Sequence, residues 1–180
     1  MKRIISSHNS KLLRKSADPP SERTCNCKQK DSCPLEGNCL SDNLVYQATV
    51  TTINPPQNQT PPCSPPSQSQ PETHTYIGLT SNTFKTRIAN HKKSFNHRKY
   101  GKETTLSQKI WELKDAGQNY EIKWKRLENA EPFSPITGVC SLCTLEKWYI
   151  LFNPELASLN KRNEINNHCF HKVPKLLDNT

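Results

Sequence analysis

At 180 residues the chain is long enough for one modest domain with appendages. Its 32% hydrophobic content and mean hydropathy of −0.84 leave part of it outside any packed core. A net charge of +9 and a pI near 9.2 favour a polyanionic partner, nucleic acid ahead of anionic membrane, because no basic amphipathic helix with a broad apolar face appears. No apolar run approaches the roughly 18 residues a spanning helix needs, and the N-terminus lacks the continuous apolar core of a signal peptide, so the sequence reads as intracellular and not membrane-bound.

In chain order, residues 1–23 read as a flexible basic segment closed by Pro19-Pro20. Residues 24–41 form a cysteine-rich knuckle, 42–166 the main domain, and 167–180 a C-terminal tail. Residues 43–52, rich in β-branched side chains, predict a strand, and 75–79 a second. Between them, 54–73 is rich in Pro, Gln and Ser and reads as an unpacked insertion in the hairpin loop, where extra length costs little. A helix over 83–95 carries Phe84, Ile88, His91 and Phe95 on one face, with Asn82 or Ser81 as its cap. A second helix over 105–116 has Leu106, Ile110 and Leu113 as its stripe and Gly117 at its end. Tyr120, Ile122 and Trp124 alternate with Glu121, Lys123 and Lys125 in a third, half-buried strand. A last helix opens at the Cys140 region, lines one side with Leu142, Leu145, Tyr149 and Phe152, and is stopped by Pro154. This order predicts a small α+β domain, a three-stranded antiparallel sheet flanked by helices.

Eight cysteines in an intracellular chain favour metal over disulfides. Cys25, Cys27, Cys33 and Cys39 can close a tetrahedral zinc shell; free thiols or a redox-labile pair are the alternatives. Cys140, Cys143, Cys169 and His171 make a chemically sound second zinc site that would staple the tail to the last helix. A thioredoxin-like Cys-x-x-Cys is the alternative there, but the parallel βαβ context it needs is missing. Cys63 reads as an unpaired surface thiol. Four protein ligands leave no open position, so both zinc sites are expected to be structural.

Tyr46 and Tyr76 on strands, Gly78 beside the second, Arg87 and His91 one helical turn apart, and Glu146 on a later helix form an ordered set. Each alone has an ordinary structural reading as packing or a solvated charge. Together they supply what phosphodiester hydrolysis needs: a group to activate water, a cation for the phosphate, and a carboxylate for a metal. Gly78 would let backbone and phosphate approach closely. Lys85, Lys92, Lys93, Arg98, Lys99 and Lys102 surround Arg87 and suit phosphate contacts, with a solvated helix face as the bland alternative.

The runs "LVYQATV", "TYIGLT", "FKTRIANH", "LEKWYI" and "SLNKRNE" resemble the GIY-YIG endonuclease family, and more closely the endonuclease domain of Penelope-like retroelements, in which a cysteine cluster precedes the domain. The likeness spans roughly residues 5–171. It implies that Tyr46 and Tyr76 line the site, one of them orienting or deprotonating water. Arg87 would hold the scissile phosphate, His91 would assist as a hydrogen-bond partner or relay, and Glu146 would bind Mg²⁺ or Mn²⁺. Asn160 falls at a polar position near the family's site and is grouped with the nucleic-acid-binding residues. The implied partners are DNA and a reverse transcriptase domain of the same element, and the implied place of action is the nucleus. The chain would be a fragment of such an element or a stand-alone descendant. Three features depart from the pattern: the first half-motif survives only as Leu44-Val45-Tyr46, the two tyrosines are unusually far apart, and Leu79 stands where some relatives carry lysine, leaving Lys85 as a substitute. A DNA-nicking, metal-dependent endonuclease is the reading; a zinc-stapled, non-catalytic nucleic-acid-binding or protein-interaction module is the alternative.

Overall fold

The computed structural model describes residues 24–29, 33–53, 71–131, 133–134, 136–161, 166, 169 and 171. The N-terminal 1–23, most of the 54–73 insertion including Cys63, the Arg162–Glu164 part of the "SLNKRNE" run, His168 and the last nine residues lie outside that set. The elements are β1 (Leu44–Ile53), β2 (Thr73–Thr80), α1 (Phe84–Asn96), α2 (Thr105–Asp115), β3 (Asn119–Asn129) and α3 (Ser141–Phe152), with 3-10 turns at Arg98–Tyr100 and Pro154–Leu156. The predicted α+β class holds: one sheet, ordered β2-β1-β3, has both pairings antiparallel. Thr73 pairs with Thr51, so the strand begins inside the range read as insertion.

Central β1 explains its own sequence. Leu44, Tyr46, Ala48 and Val50 face one core, and Val45 faces a second. Both faces are covered where the strand begins, at Leu44-Val45-Tyr46, and beyond it apolar Ala48 and Val50 alternate with Gln47, Thr49 and Thr51. On the first face α1 contributes Phe84, Ile88 and Phe95, α2 contributes Leu106, Ile110 and Leu113, and β3 contributes Trp124. On the second, α3 packs Leu142 and Leu145 against Val45 and Ile77. A bulge opposite Val45 and Tyr46 leaves Leu127 as the extra residue of β3. Tyr120, Ile122 and Trp124 therefore serve the first core while Leu127 serves the second.

The start of α1 is fixed by four satisfied donors. The Phe84 and Lys85 N–H groups donate to the carbonyls of Ser41 and Cys39, at 2.8 and 3.0 Å. Thr86 N–H donates to the Thr83 hydroxyl and Arg87 N–H to the Thr83 carbonyl. Thr83 is thus the cap, not Asn82 or Ser81. Its extended backbone aims the hydroxyl back at the first turn, whereas Asn82 is folded onto the Thr80 hydroxyl. Gly117, at φ +66°, ends α2 as expected: its N–H bonds Lys114 O and that of Gln118 bonds Leu113 O. The predicted stripe of α3 holds for Leu142, Leu145 and Tyr149 but fails at Phe152, which is 69% exposed. Ten residues on, the helix has rotated Phe152 about 80° from Leu142, and it lies against Trp148 on the outer side, ring centroids 5.9 Å apart.

Candidate active site and metal centres

The sulfurs of Cys25, Cys27, Cys33 and Cys39 converge, with Sγ···Sγ separations of 3.1, 3.5, 3.5 and 3.7 Å among them. None is disulfide-bonded. Bonds of about 2.3 Å to a tetrahedral zinc place sulfurs about 3.8 Å apart, so the set fits that ion. Hydrogen bonds from Cys39 and Cys33 push the Cys27 thiol up to about 12. Burial raises Cys39, but the hydrogen bonds of Cys25, the Asn26 backbone and the other thiols outweigh it and bring Cys39 down to about 7. A divalent cation bound by the four sulfurs would displace their protons.

The second set also converges: the ligand atoms of Cys140, Cys143, Cys169 and His171 all lie within 4.8 Å of one another. His171 presents Nδ1, at 3.2 Å from Cys143 Sγ and 3.7 Å from those of Cys140 and Cys169. Burial, then the neighbouring thiols, raise Cys143. Each set contains one pair two residues apart in which the later N–H donates to the earlier sulfur, Cys27 to Cys25 and His171 to Cys169, both at 3.4 Å. Both cysteine-rich groups can therefore hold a structural zinc ion.

Between the two sets lies the tyrosine site. Tyr46 is fully buried, and its hydroxyl sits 2.7 Å from His91 Nε2 and 2.9 Å from Arg87 Nε. Arg87 can only donate, so the tyrosine oxygen accepts from it, and with His91 as its Nδ1–H tautomer the hydroxyl gives its own proton to Nε2. Burial, reinforced by the Arg87 charge, pulls His91 down to about 3, so the ring is neutral. Burial pushes Tyr46 up to about 12 against the pull of Arg87. Glu146, half-buried on α3, raises both Tyr46 and Arg87 through its charge, although α3 covers the opposite face of the sheet. The edge strand β2 is where the two layers meet. Tyr76 stands edge-on to His91 at 6.1 Å, and its charge acts on Arg87. Tyr46, Tyr76, Arg87, His91 and Glu146 are brought into one electrostatic unit.

Gly78 has a packing reason of its own. It is the cross-strand partner of Tyr46, and a Cβ there would stand 2.5 Å from the Tyr46 hydroxyl and 2.9 Å from Tyr76 Cε1. The glycine makes room for the two tyrosines themselves. Asn160 is held on the sheet: its amide accepts from Ile77 N–H at 2.8 Å and donates to Ile77 O at 2.9 Å, extending the outer edge of β2 like a short extra strand. Lys92 and Lys102 are exposed. Lys93 and Lys99 lie over the Tyr100 ring, and Lys85 reaches Asn26 Oδ1 at 3.4 Å. Arg98 is held by Asp115 through two bonds of 2.7 and 2.9 Å, which leaves it a poorer phosphate ligand than its neighbours.

Beside Arg87 opens a cleft of about 170 Å³ lined by the β2–α1 turn (Thr80, Ser81, Asn82), Asn90 and His171. Sequence reasoning did not single out Asn90; its place three residues after Arg87, on the same helical face, was the available signal. It had taken His171 for a metal ligand alone. No protein family, curated protein or solved structure matches the chain. Among the described residues no helix is long and apolar enough to cross a membrane.

Proposed function

We propose that the chain is a metal-dependent DNA endonuclease of the GIY-YIG kind, of retroelement origin, that nicks phosphodiester bonds. The carrying observation is the buried Tyr46 hydroxyl held between the Arg87 guanidinium and neutral His91. Among the described residues Arg87 bonds Tyr46 through its Nε–H, and its outer donors are the groups that would take a phosphate at the cleft. An anion there offsets the charge that suppresses His91, and the basicity of His91 Nε2 rises. The tyrosine proton can then pass to His91 as the tyrosine oxygen takes a proton from a water that substrate binding brings to this buried hydroxyl. The base is strengthened by arrival of the substrate. Glu146 would hold a Mg²⁺ or Mn²⁺ ion, whose contribution is to polarise the phosphoryl group and stabilise the leaving oxygen. Exposed Lys92, Lys99 and Lys102 supply sequence-independent attraction for the DNA backbone.

The test is supercoiled-plasmid nicking by zinc-loaded protein with Mg²⁺ or Mn²⁺, beside a folded Glu146→Ala variant. Nicking by the parent and not the variant is expected. Equal nicking by both removes Glu146 from the reading. Salt-sensitive DNA binding without nicking replaces it with a non-catalytic binding module.

A further inference from the structure

The cleft beside Arg87 and the second sulfur cluster share one residue. His171 turns Nδ1 toward the sulfurs of Cys140, Cys143 and Cys169, and the same residue lines the cleft with Arg87 and Asn90. An imidazole has two nitrogens, on different sides of the ring. With Nδ1 committed to the cluster, the nitrogen left for the cleft is Nε2. A neutral imidazole that binds a metal through Nδ1 must carry its proton on Nε2. Metal binding therefore fixes His171 as a hydrogen-bond donor on the wall of the cleft. Asn90, exposed and one turn beyond Arg87, supplies an amide to the same space.

We infer that this cleft binds one phosphate of the nucleic-acid backbone through Arg87, Asn90 and the Nε2–H of metal-held His171. The second metal site is then part of the substrate contact as well as a staple; this rests on the endonuclease reading and names a contact within its site. The chemistry is complementary: a guanidinium, an amide and a neutral N–H are all donors, and a phosphodiester offers only acceptors. A free phosphate ion would meet the same three groups, so the two sources must be separated by affinity.

The first experiment is NMR on zinc-loaded protein with ¹⁵N-labelled histidine, titrated without Mg²⁺ with a short DNA duplex and separately with inorganic phosphate. The His171 Hε2 resonance is expected to move downfield and exchange more slowly with water as duplex saturates, with inorganic phosphate reproducing the shift only far above the duplex concentration. A His171 signal that stays put while the duplex saturates, or a proton found on Nδ1, overturns the proposal, and inorganic phosphate alone moving the signal overturns the backbone assignment. The second experiment uses His171→Cys, which keeps four zinc ligands. With two zinc ions per chain retained, duplex affinity is expected to fall about tenfold, the loss of one hydrogen bond to a charged group. The variant adds one negative charge at the zinc shell, whose effect fades as salt rises. The lost hydrogen bond persists at high salt, whereas Arg87→Ala lowers the salt slope itself by about one. Unchanged high-salt affinity in His171→Cys overturns the inference and leaves the nuclease reading standing if the parent still nicks plasmid. Absence of any duplex binding by the parent overturns the inference, and plasmid nicking then decides the nuclease reading separately.

Discussion

Tyr46→Phe isolates the hydroxyl at the centre of the site. The ring contacts with Phe84 at 5.5 Å and Trp124 at 6.0 Å survive, so the packing loss is one oxygen atom. Two hydrogen bonds disappear, to His91 at 2.7 Å and from Arg87 at 2.9 Å. His91 is only 3% exposed, so its Nε2 is left as a buried acceptor with no donor, a cost of about 1–3 kcal/mol. Arg87 is half-buried and can turn its Nε toward the cleft and water, so its share is smaller. Removal of a hydroxyl that was itself costly to bury offsets part of the loss, giving a net destabilisation of about 1–2 kcal/mol. A domain of ordinary stability stays folded. Urea unfolding should show a lower midpoint with an unchanged slope. A cycle with His91→Phe should return a coupling of about 1 kcal/mol between the two positions. A variant as stable as the parent, with no coupling to His91, would refute the hydrogen-bond geometry. Plasmid nicking, if the tyrosine is the base, should fall by about 100-fold or more in the same folded variant.

Gly78→Ala places a methyl group against the Tyr46 hydroxyl and Tyr76. It should cost about 1–3 kcal/mol by overpacking and abolish nicking by displacing the tyrosine oxygen, as measured by urea unfolding and plasmid assay. His91 is held near 3 when folded against an ordinary value of 6.5, so the unfolded chain binds more protons between those values. Stability should be fully present above pH 6.5 and fall toward pH 3, by at most about 1.4 kcal/mol per pH unit from this residue; His91→Phe should flatten that slope in pH-dependent unfolding. Zinc removal by a strong chelator should lower the melting temperature by about 10 °C or more. Metal analysis should give two zinc ions per chain, falling to one in either Cys39→Ser or Cys169→Ser.

The strands and helices were legible because their local signals are strong: the β-branched residues of β1, the alternation in β3 and the 3–4 spacing of Phe84, Ile88, His91 and Phe95. The two cysteine sets were legible because four soft ligands in one chain have few other uses. What stayed hidden depends on register and direction. The pairing of Tyr46 with Gly78 is a cross-strand fact, and no local pattern shows that a glycine 32 positions away clears space for a tyrosine. Thr83 was missed as a cap because three adjacent polar residues all suit the position, and only the turn built on the Thr80 hydroxyl chooses among them. Asn160 lies on β2 through Ile77. Its engagement with both main-chain groups of Ile77 depends on the chain returning along the edge of β2.

The two sulfur clusters stand at the roots of the two elements that carry the charged side chains. Cys39 belongs to the first cluster, and its carbonyl accepts the N–H of Lys85 while that of Ser41 accepts Phe84. The knuckle thus holds the first turn of α1, and Arg87 and His91 follow within two turns. Cys143 of the second cluster lies three residues before Glu146 on α3, one turn away on the same helical face, and Cys140 is the residue at which that helix begins. The sheet alone could not hold these groups together. Tyr46 and Tyr76 sit on one face, and the carboxylate reaches them from a helix packed on the other. In a chain with this little apolar content, fixing both helix starts by metal removes the freedom that matters most to the site, the distance between guanidinium and carboxylate across the edge of β2. The zinc shells need no open coordination position for this. Each would act through the backbone of the helix it anchors, and among the described residues of the two sets only His171 also lines the cleft.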